Sequence, residues 1–293
     1  MSNWPNLSEL VSSRHGDAPV GLIGAPLAAG SVTPGRCDLA PQLLRQTLGR
    51  IGRYDIETGR ELETLVNDRG DVDLAGLGID QATPLIRDAV AESAKAHALT
   101  LLAGGNNAVT RPGLLGLGGA IASIGLITLD AHFDMRDLDQ GLSNGNPVRA
   151  LMEDGLPGAN IAQVGLAGFA NSAAMHRDAV AAGNCMVTMG DVRRDGIESA
   201  IDRALDHVAH CEAILLDCDI DVIDRAQMPG APGARPGGMA ADDFFWAVRQ
   251  IASEERVRAI DLTEWDPPLD QTDLSALTAA RWVAECLAGY ERR

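Results

Sequence analysis

Two apolar runs of strand length each end in a cluster of acid. Leu126-Ile127-Thr128-Leu129 runs into Asp130-Ala131-His132-Phe133-Asp134, and Ala213-Ile214-Leu215-Leu216 runs into Asp217-Cys218-Asp219-Ile220-Asp221. Runs this short and this apolar read as strands buried on both faces. Carboxylates are costly to bury unless they are paired or hold a cation. Two acid clusters at the exits of two such strands predict one hard-cation site built from both, and a metal-dependent enzyme. The alternative is solvated loop acid that merely ends a strand.

The same alternation runs along the chain. Strands are expected at Val20–Gly24, Thr100–Ala103, Ile124–Leu129, Ile161–Leu166, Met186–Thr188, Ala213–Leu216 and Val257–Leu262. Helices are expected at Pro41–Ile51, Thr83–Ala98, Ser172–Ala182, Gly196–Ala209, Ala240–Ser253 and Thr272–Ala288. In the second of these, Leu85, Ile86, Val90 and Ala94 form the inward face. Strand and helix in alternation predict an α/β fold with a parallel sheet covered on both faces. No low-complexity linker divides residues 1–293, so one domain is expected. Ligands of such sheets sit at the carboxyl ends of the strands. Both acid clusters fall there, as do Gly104-Gly105-Asn106-Asn107 and Thr263-Glu264.

A net charge of −17 argues against nucleic acid or an anionic membrane as partner. Cys37, Cys185, Cys211, Cys218 and Cys286 are scattered and odd in number, which does not suggest a secreted disulfide framework. The polar stretch Met1–Asp17 lacks the apolar core of a signal peptide, and no apolar run reaches membrane-spanning length. A cytoplasmic enzyme is the expectation.

Residues two apart share one face of a strand. Asp217, Asp219 and Asp221 point the same way if the extended run continues, and Asp130, His132 and Asp134 have the same spacing. Oxygen-rich donors with some nitrogen suit Mn²⁺ or a similar ion. A bridging carboxylate allows a two-metal centre that activates water. Other signals carry less. Gly113–Gly119 does not spell a dinucleotide fingerprint and reads as packing or a turn. Cys218 should face away from the acids, as a core thiol. His15, His97, His176, His207 and His210 read as solvated, with His176 in a stretch, Asn171–His176, that could reach the pocket.

The motifs, taken together, resemble the ureohydrolase superfamily of arginases, agmatinases and formimidoylglutamases over nearly the whole chain. Gly21–Pro26, Pro34-Gly35-Arg36, Ala40-Pro41 and Leu44-Arg45 resemble its opening strand, loop and helix. Gly104-Gly105-Asn106-Asn107 stands where the family has Gly-Gly-Asp/Asn-His. Asp130–Asp134 is its Asp-Ala-His-x-Asp motif, and Asp219–Asp224 resembles its Asp-x-Asp-x-x-Asp motif. Pro229-Gly230, Pro236-Gly237-Gly238, Asp261-Leu262-Thr263-Glu264 and Thr278-Ala279 follow in family order.

The resemblance implies a three-layer α/β/α domain with a mainly parallel sheet of about eight strands. It implies a manganese-dependent hydrolase in which hydroxide held by two ions attacks a linear amidine or imino C–N carbon. Asp130 and Asp219 would bridge the ions. Asp134 would ligate the first ion and bond the hydroxide, and His132 and Asp221 would ligate the second. Glu264 would hold the cationic end of a small-molecule substrate, and Asp134 and Glu264 are the implied catalytic acids. Family analogy also implies a homo-oligomer, a trimer or hexamer.

Two histidines of the pattern are replaced, one by Asn107 and one by Asn144. Amide oxygen is a weaker ligand than imidazole for late first-row ions, so Asn107 is expected to be a weak ligand at most. Asn144 cannot transfer a proton, which leaves that work to Asp134, Glu264 or water. Asn144, Asn146 and Arg149 are expected at the substrate, with the Arg149 guanidinium clamping a carboxylate. That fits formiminoglutamate. A guanidino hydrolase for arginine, agmatine, guanidinobutyrate or N-hydroxyarginine, and a silent metal-binding scaffold, stand as alternatives.

Overall fold

The computed structural model describes residues 4–293; the first three residues of the polar Met1–Asp17 stretch lie outside them. The strands are β1 (Val11–Ser12), β2 (Val20–Ala25), β3 (Tyr54–Asp55), β4 (Arg60–Glu61), β5 (Val66–Asp71), β6 (Leu99–Gly104), β7 (Ile124–Leu129), β8 (Ile161–Leu166), β9 (Cys185–Thr188), β10 (Ala213–Asp219) and β11 (Val257–Thr263). The α-helices are α1 (Ala40–Thr47), α2 (Ile79–Ala96), α3 (Thr110–Gly116), α4 (Pro147–Glu153), α5 (Ala173–Ala182), α6 (Met189–Asp195), α7 (Ile197–His207), α8 (Ala241–Ala252) and α9 (Leu274–Tyr290).

Nine strands form one sheet in the order β1-β5-β2-β6-β11-β10-β7-β8-β9. Every pairing in it is parallel. The expected α/β/α layering is present, with nine strands in place of about eight. One face packs on α1, α6, α7, α8 and α9 through Leu44, Val192, Ile201, Phe244 and Trp282. The other packs on α2, α3, α4 and α5 through Ile86, Leu114, Leu151 and Ala179. Within β10, Ile214, Leu216 and Cys218 join the first face and Leu215 the second, the period-2 alternation of a buried strand. Among the described residues no helix is long and apolar enough to cross a membrane.

The order of strands positions the site. β6 and β7 follow one another in sequence but are separated in the sheet by β11 and β10. The connection reverses direction there, and such switch points open a crevice at the carboxyl edge. The loops that leave β6, β11, β10 and β7 therefore converge on one place.

Some local expectations need correction. The helix expected at Pro41–Ile51 ends at Thr47 and tightens into a 3₁₀ turn, Leu48–Arg50. α2 starts four residues early, at Ile79, and Leu85 points outward. The stretch Gly113–Gly119 serves packing, one of its two expected roles: its first half completes α3, and Gly113 lets that helix lie close over Leu102 and Leu215. β5 was invisible because Val-Asn-Asp-Arg-Gly-Asp is polar; it lies near the sheet edge, beside two-residue β1, and stays largely exposed. His97 is buried rather than solvated, with Nδ1 bonded to the Ala18 carbonyl at 2.7 Å and Nε2 facing Asn67 at 3.3 Å.

Candidate metal centre

The backbone of the loop leaving β7 is held by β8, by Asn171 and by Asp130 within the loop. The Asp130 amide donates to the Val164 carbonyl at 3.0 Å, and Asp130 Oδ1 accepts from the His132 amide at 2.7 Å. Asn171 Oδ1 accepts from the Phe133 amide at 2.8 Å, and Gln163 Nε2 donates to the Phe133 carbonyl at 3.0 Å. Asp134 then takes a left-handed φ of 51°. That region is unfavourable for a residue with a β-carbon, and it turns the carboxyl back toward the strand ends.

The loop leaving β10 does not stay extended. Asp219 caps a 3₁₀ turn, Ile220–Val222, and its Oδ1 accepts from the Asp221 amide at 2.9 Å. The turn swings Asp221 to His132, with Oδ2 3.0 Å from Nδ1. Asp217 is left behind inside the sheet, opposite Asp261 in the β10–β11 register. The expectation that Asp217, Asp219 and Asp221 act as one row is thus corrected, because the chain turns after Asp219. Cys218 faces α9, away from the acids.

Two groups of three donors result. Asp130, His132 and Asp221 form one, and Asp130, Asp134 and Asp219 the other; in each, three ligand atoms lie within 4.8 Å of one another. Asp130 belongs to both, which is the geometry of a carboxylate shared between two ions. Asp219 falls in one group only. Asp130, Asp134, Asp219 and Asp221 are all buried, and Asp130 Oδ2 has no hydrogen-bond partner.

So much buried acid is electrostatically frustrated. Burial pushes Asp130 up to about 6. Burial and the neighbouring Asp130 charge hold Asp134 well above the usual range, and burial with Asp221 does the same to Asp219. For His132, burial opposes the charge, yet Asp221 and Asp130 push it up to about 12. Divalent cations relieve this frustration directly, so the donors and the orphaned oxygen fit a metal pair.

Glu264 closes the site from β11. Its φ is 59°, and its amide donates to the Gly105 carbonyl at 3.0 Å. Glu264 Oε1 accepts from the Asn107 amide at 2.7 Å and from Asn144 Nδ2 at 2.8 Å, which leaves Oε2 for a cation in the cavity. Burial pushes Glu264 up to about 7 against those two donors.

Asn107 does not offer its oxygen as a ligand. Asn107 Oδ1 accepts from the hydroxyls of Thr110 and Thr263 at 2.7 and 3.0 Å, and Nδ2 donates to Asp134 Oδ2 at 2.5 Å. The residue orients Asp134 instead. Asn144 lines the cavity, whereas Asn146 is turned into its own loop, donating to the Asp137 and Gly141 carbonyls. Arg149 does not reach the cavity of the metal site; it pairs with Asp178. An acid one helix away, on α5, holds it.

The cavity above the carboxylates measures about 450 Å³. Its exposed rim carries Arg136, Arg235 and Phe169, none of them anticipated from sequence. Arg136 lies two residues beyond Asp134, and Arg235 lies between the two Pro-Gly segments, so both were near recognised motifs. Arg235 Nη1 is anchored on the Gly233 carbonyl at 2.8 Å. Among the described residues neither rim guanidinium pairs with a carboxylate. The backbone at Gly233 presses on Asp221, and a β-carbon there would collide with Asp221 Oδ2. Gly233→Ala is expected to weaken metal affinity about 10- to 100-fold, as for other changes just outside a ligand set; titration of the metal-free protein would measure it, and an unchanged affinity would show that the loop yields.

The chain is similar to known proteins over almost all its length. It is 30% identical over 275 residues to the formimidoylglutamase of Halalkalibacterium halodurans, covering 92% of this chain and 86% of that protein. The crystal structure of formimidoylglutamase from Bacillus subtilis superposes with a TM-score of 0.92 at 29% identity, covering 99% of this chain and 92% of that one. Formiminoglutamase of Trypanosoma cruzi, solved with Mn²⁺, has the same fold at a TM-score of 0.90 and 22% identity, over 99% of this chain and 100% of that one. The arginase-family sequence model matches residues 18–289. That span takes in every carboxylate of the centre and all of the sheet but β1, and the chain belongs to the arginase family.

Proposed function

We propose that the protein is a manganese-dependent hydrolase of formimidoylglutamate, releasing formamide and glutamate. The observation that carries this reading is the cavity's division of charge: buried carboxylates form its floor, and Arg136 and Arg235 stand on its rim. The substrate has the complementary division, an amidine at one end and two carboxylates at the other. The relatives named formimidoylglutamase support it, and the oxygen-rich donor set with one imidazole supports manganese. The five free cysteines support a cytoplasmic setting.

Asp130, Asp134 and Asp219 would hold one ion, and Asp130, His132 and Asp221 the other. When bound, the ions lower the pKa of water from about 15.7 toward 7 and so supply the nucleophile. Glu264 binds the amidinium through Oε2, with Asn144 and the Asn107 amide holding Oε1. Water adds to the amidine carbon, and the bond from that carbon to the glutamate nitrogen breaks. The leaving nitrogen needs a proton, and Asp134 carries it there, its Oδ2 held in place by Asn107. Arg136 and Arg235 take the two substrate carboxylates; guanidinium suits carboxylate because its donors match both oxygens.

A substrate panel tests the reading. With Mn²⁺, formimidoylglutamate should be turned over far faster than arginine, agmatine, guanidinobutyrate or N-hydroxyarginine, with chelator abolishing the activity. Agmatine lacks a carboxylate and arginine has one, so faster turnover of either would reject it.

A further inference from the structure

Phe169 stands fully exposed on the rim of the cavity, whereas Phe133, Phe244 and Phe245, the other three phenylalanines of the chain, are buried. Its φ is 62°, a left-handed conformation that is a clear outlier for a bulky residue. Among the described residues only Asp134 and Glu264 share that feature without being glycine, and both line the same cavity. Such a conformation persists only where the surroundings over-determine it.

The surroundings here are the metal loop itself. The Ala167 amide donates to the Ala131 carbonyl at 2.9 Å. Asn171 Nδ2 donates to the same carbonyl at 2.9 Å, and Asn171 Oδ1 accepts from the Phe133 amide. Both ends of the turn that carries Phe169 are thus tied to residues 131–133. The ring's position is set relative to the carboxylate floor, and an ordinary φ would aim it elsewhere.

We infer that Phe169 covers the bound substrate, laying its ring on the two methylene carbons between the substrate carboxylates. This rests on the proposed function. The cavity floor is charged and its rim carries the guanidinium groups of Arg136 and Arg235 beside the smaller apolar groups of Val32, Met175 and Pro232, so Phe169 supplies the largest apolar cover for that aliphatic segment. Covering it also excludes water, which strengthens the neighbouring ion pairs.

The test uses the full chain loaded with manganese and steady-state kinetics on formimidoylglutamate. Phe169→Gly removes the ring and suits the left-handed backbone. Losing roughly 60 Å² of buried apolar contact should raise KM about tenfold, while kcat stays within about twofold. Because the ring packs on nothing when the site is empty, the melting temperature should stay level or rise. Phe169→Leu should recover part of the KM. An unchanged KM in Phe169→Gly overturns the inference; if sedimentation then shows a smaller assembly, the ring serves a contact between copies instead. No turnover by the unsubstituted enzyme rejects the proposed function, and this role with it. Turnover with an unaffected Phe169→Gly rejects the role alone.

Discussion

Replacing Asp130 by alanine is expected to abolish manganese binding and turnover together. Asp130 belongs to both three-donor groups, so its loss leaves neither ion a full set. Without the ions the pKa of water returns toward about 15.7, and at neutral pH the supply of nucleophile collapses. A fall in kcat/KM of about four orders of magnitude or more should result. The fold should survive. Asp130 Oδ2 has no hydrogen-bond partner; at Oδ1 the His132 amide loses its acceptor, and the His132 ring loses a 3.5 Å contact but keeps Asp221 at 3.0 Å. Elemental analysis after purification with manganese, with far-ultraviolet circular dichroism as the folding control, decides it. A folded Asp130→Ala protein that keeps two ions per chain would sink the assignment of the centre.

The second large effect is on stability, and its pH dependence runs opposite to ordinary acid denaturation. Asp130 is held up to about 6 and Glu264 to about 7 by burial, and Asp134 and Asp219 are raised as well. Unfolded, such groups titrate near 4. Between about pH 4 and 7 the metal-free folded state therefore binds more protons than the unfolded state, and stability falls as pH rises through that window. His132 acts in the same direction above about pH 6.5, since burial opposes its charge but Asp221 and Asp130 push it up to about 12. Metal-free protein should melt at a higher temperature at pH 5 than at pH 8. Manganese competes with those protons, so its stabilisation should be the greater at pH 8. A concentration of about 1,000 times Kd contributes about 4 kcal/mol, or roughly 7 °C in a chain of this size. Melting curves at both pH values, with and without Mn²⁺, check this; equal metal-free melting temperatures would contradict the account of the buried charges.

How much of this was legible from the residues alone varies with the range of the interaction. β7 and β8 have the expected bounds because Ser123 and Asp130 bracket one apolar run, and Asn160 and the small pair Ala167-Gly168 the other. α8 and α9 lie within two residues of expectation, since helical period is a local property. β5 escaped notice because a strand covered on its outer side by only the two residues of β1 need not be apolar. The residues of the two acid clusters and Glu264 were visible as types at strand exits. Their partition was not: Asp217 and Asp219 look equivalent in sequence, and only the turn after Asp219 sends Asp221 to His132 and leaves Asp217 beside Asp261.

The arginines show the same limit. Arg149 was attractive by its nearness to Asn144, yet Asp178 takes it, and Arg136 and Arg235 stand at the cavity in its place. Sequence by itself determined the layered α/β fold, the edge where ligands gather and the hard-cation character of the site. Those follow from hydrophobic period and from the cost of burying charge, which neighbouring residues already set. Which acids face one another, which amide orients which carboxylate, and which guanidinium stands at the cavity were decided by the tertiary structure. Each depends on a pairing between residues from 27 to 157 positions apart, such as Asn107 with Asp134 and with Glu264, and no local pattern encodes such pairs.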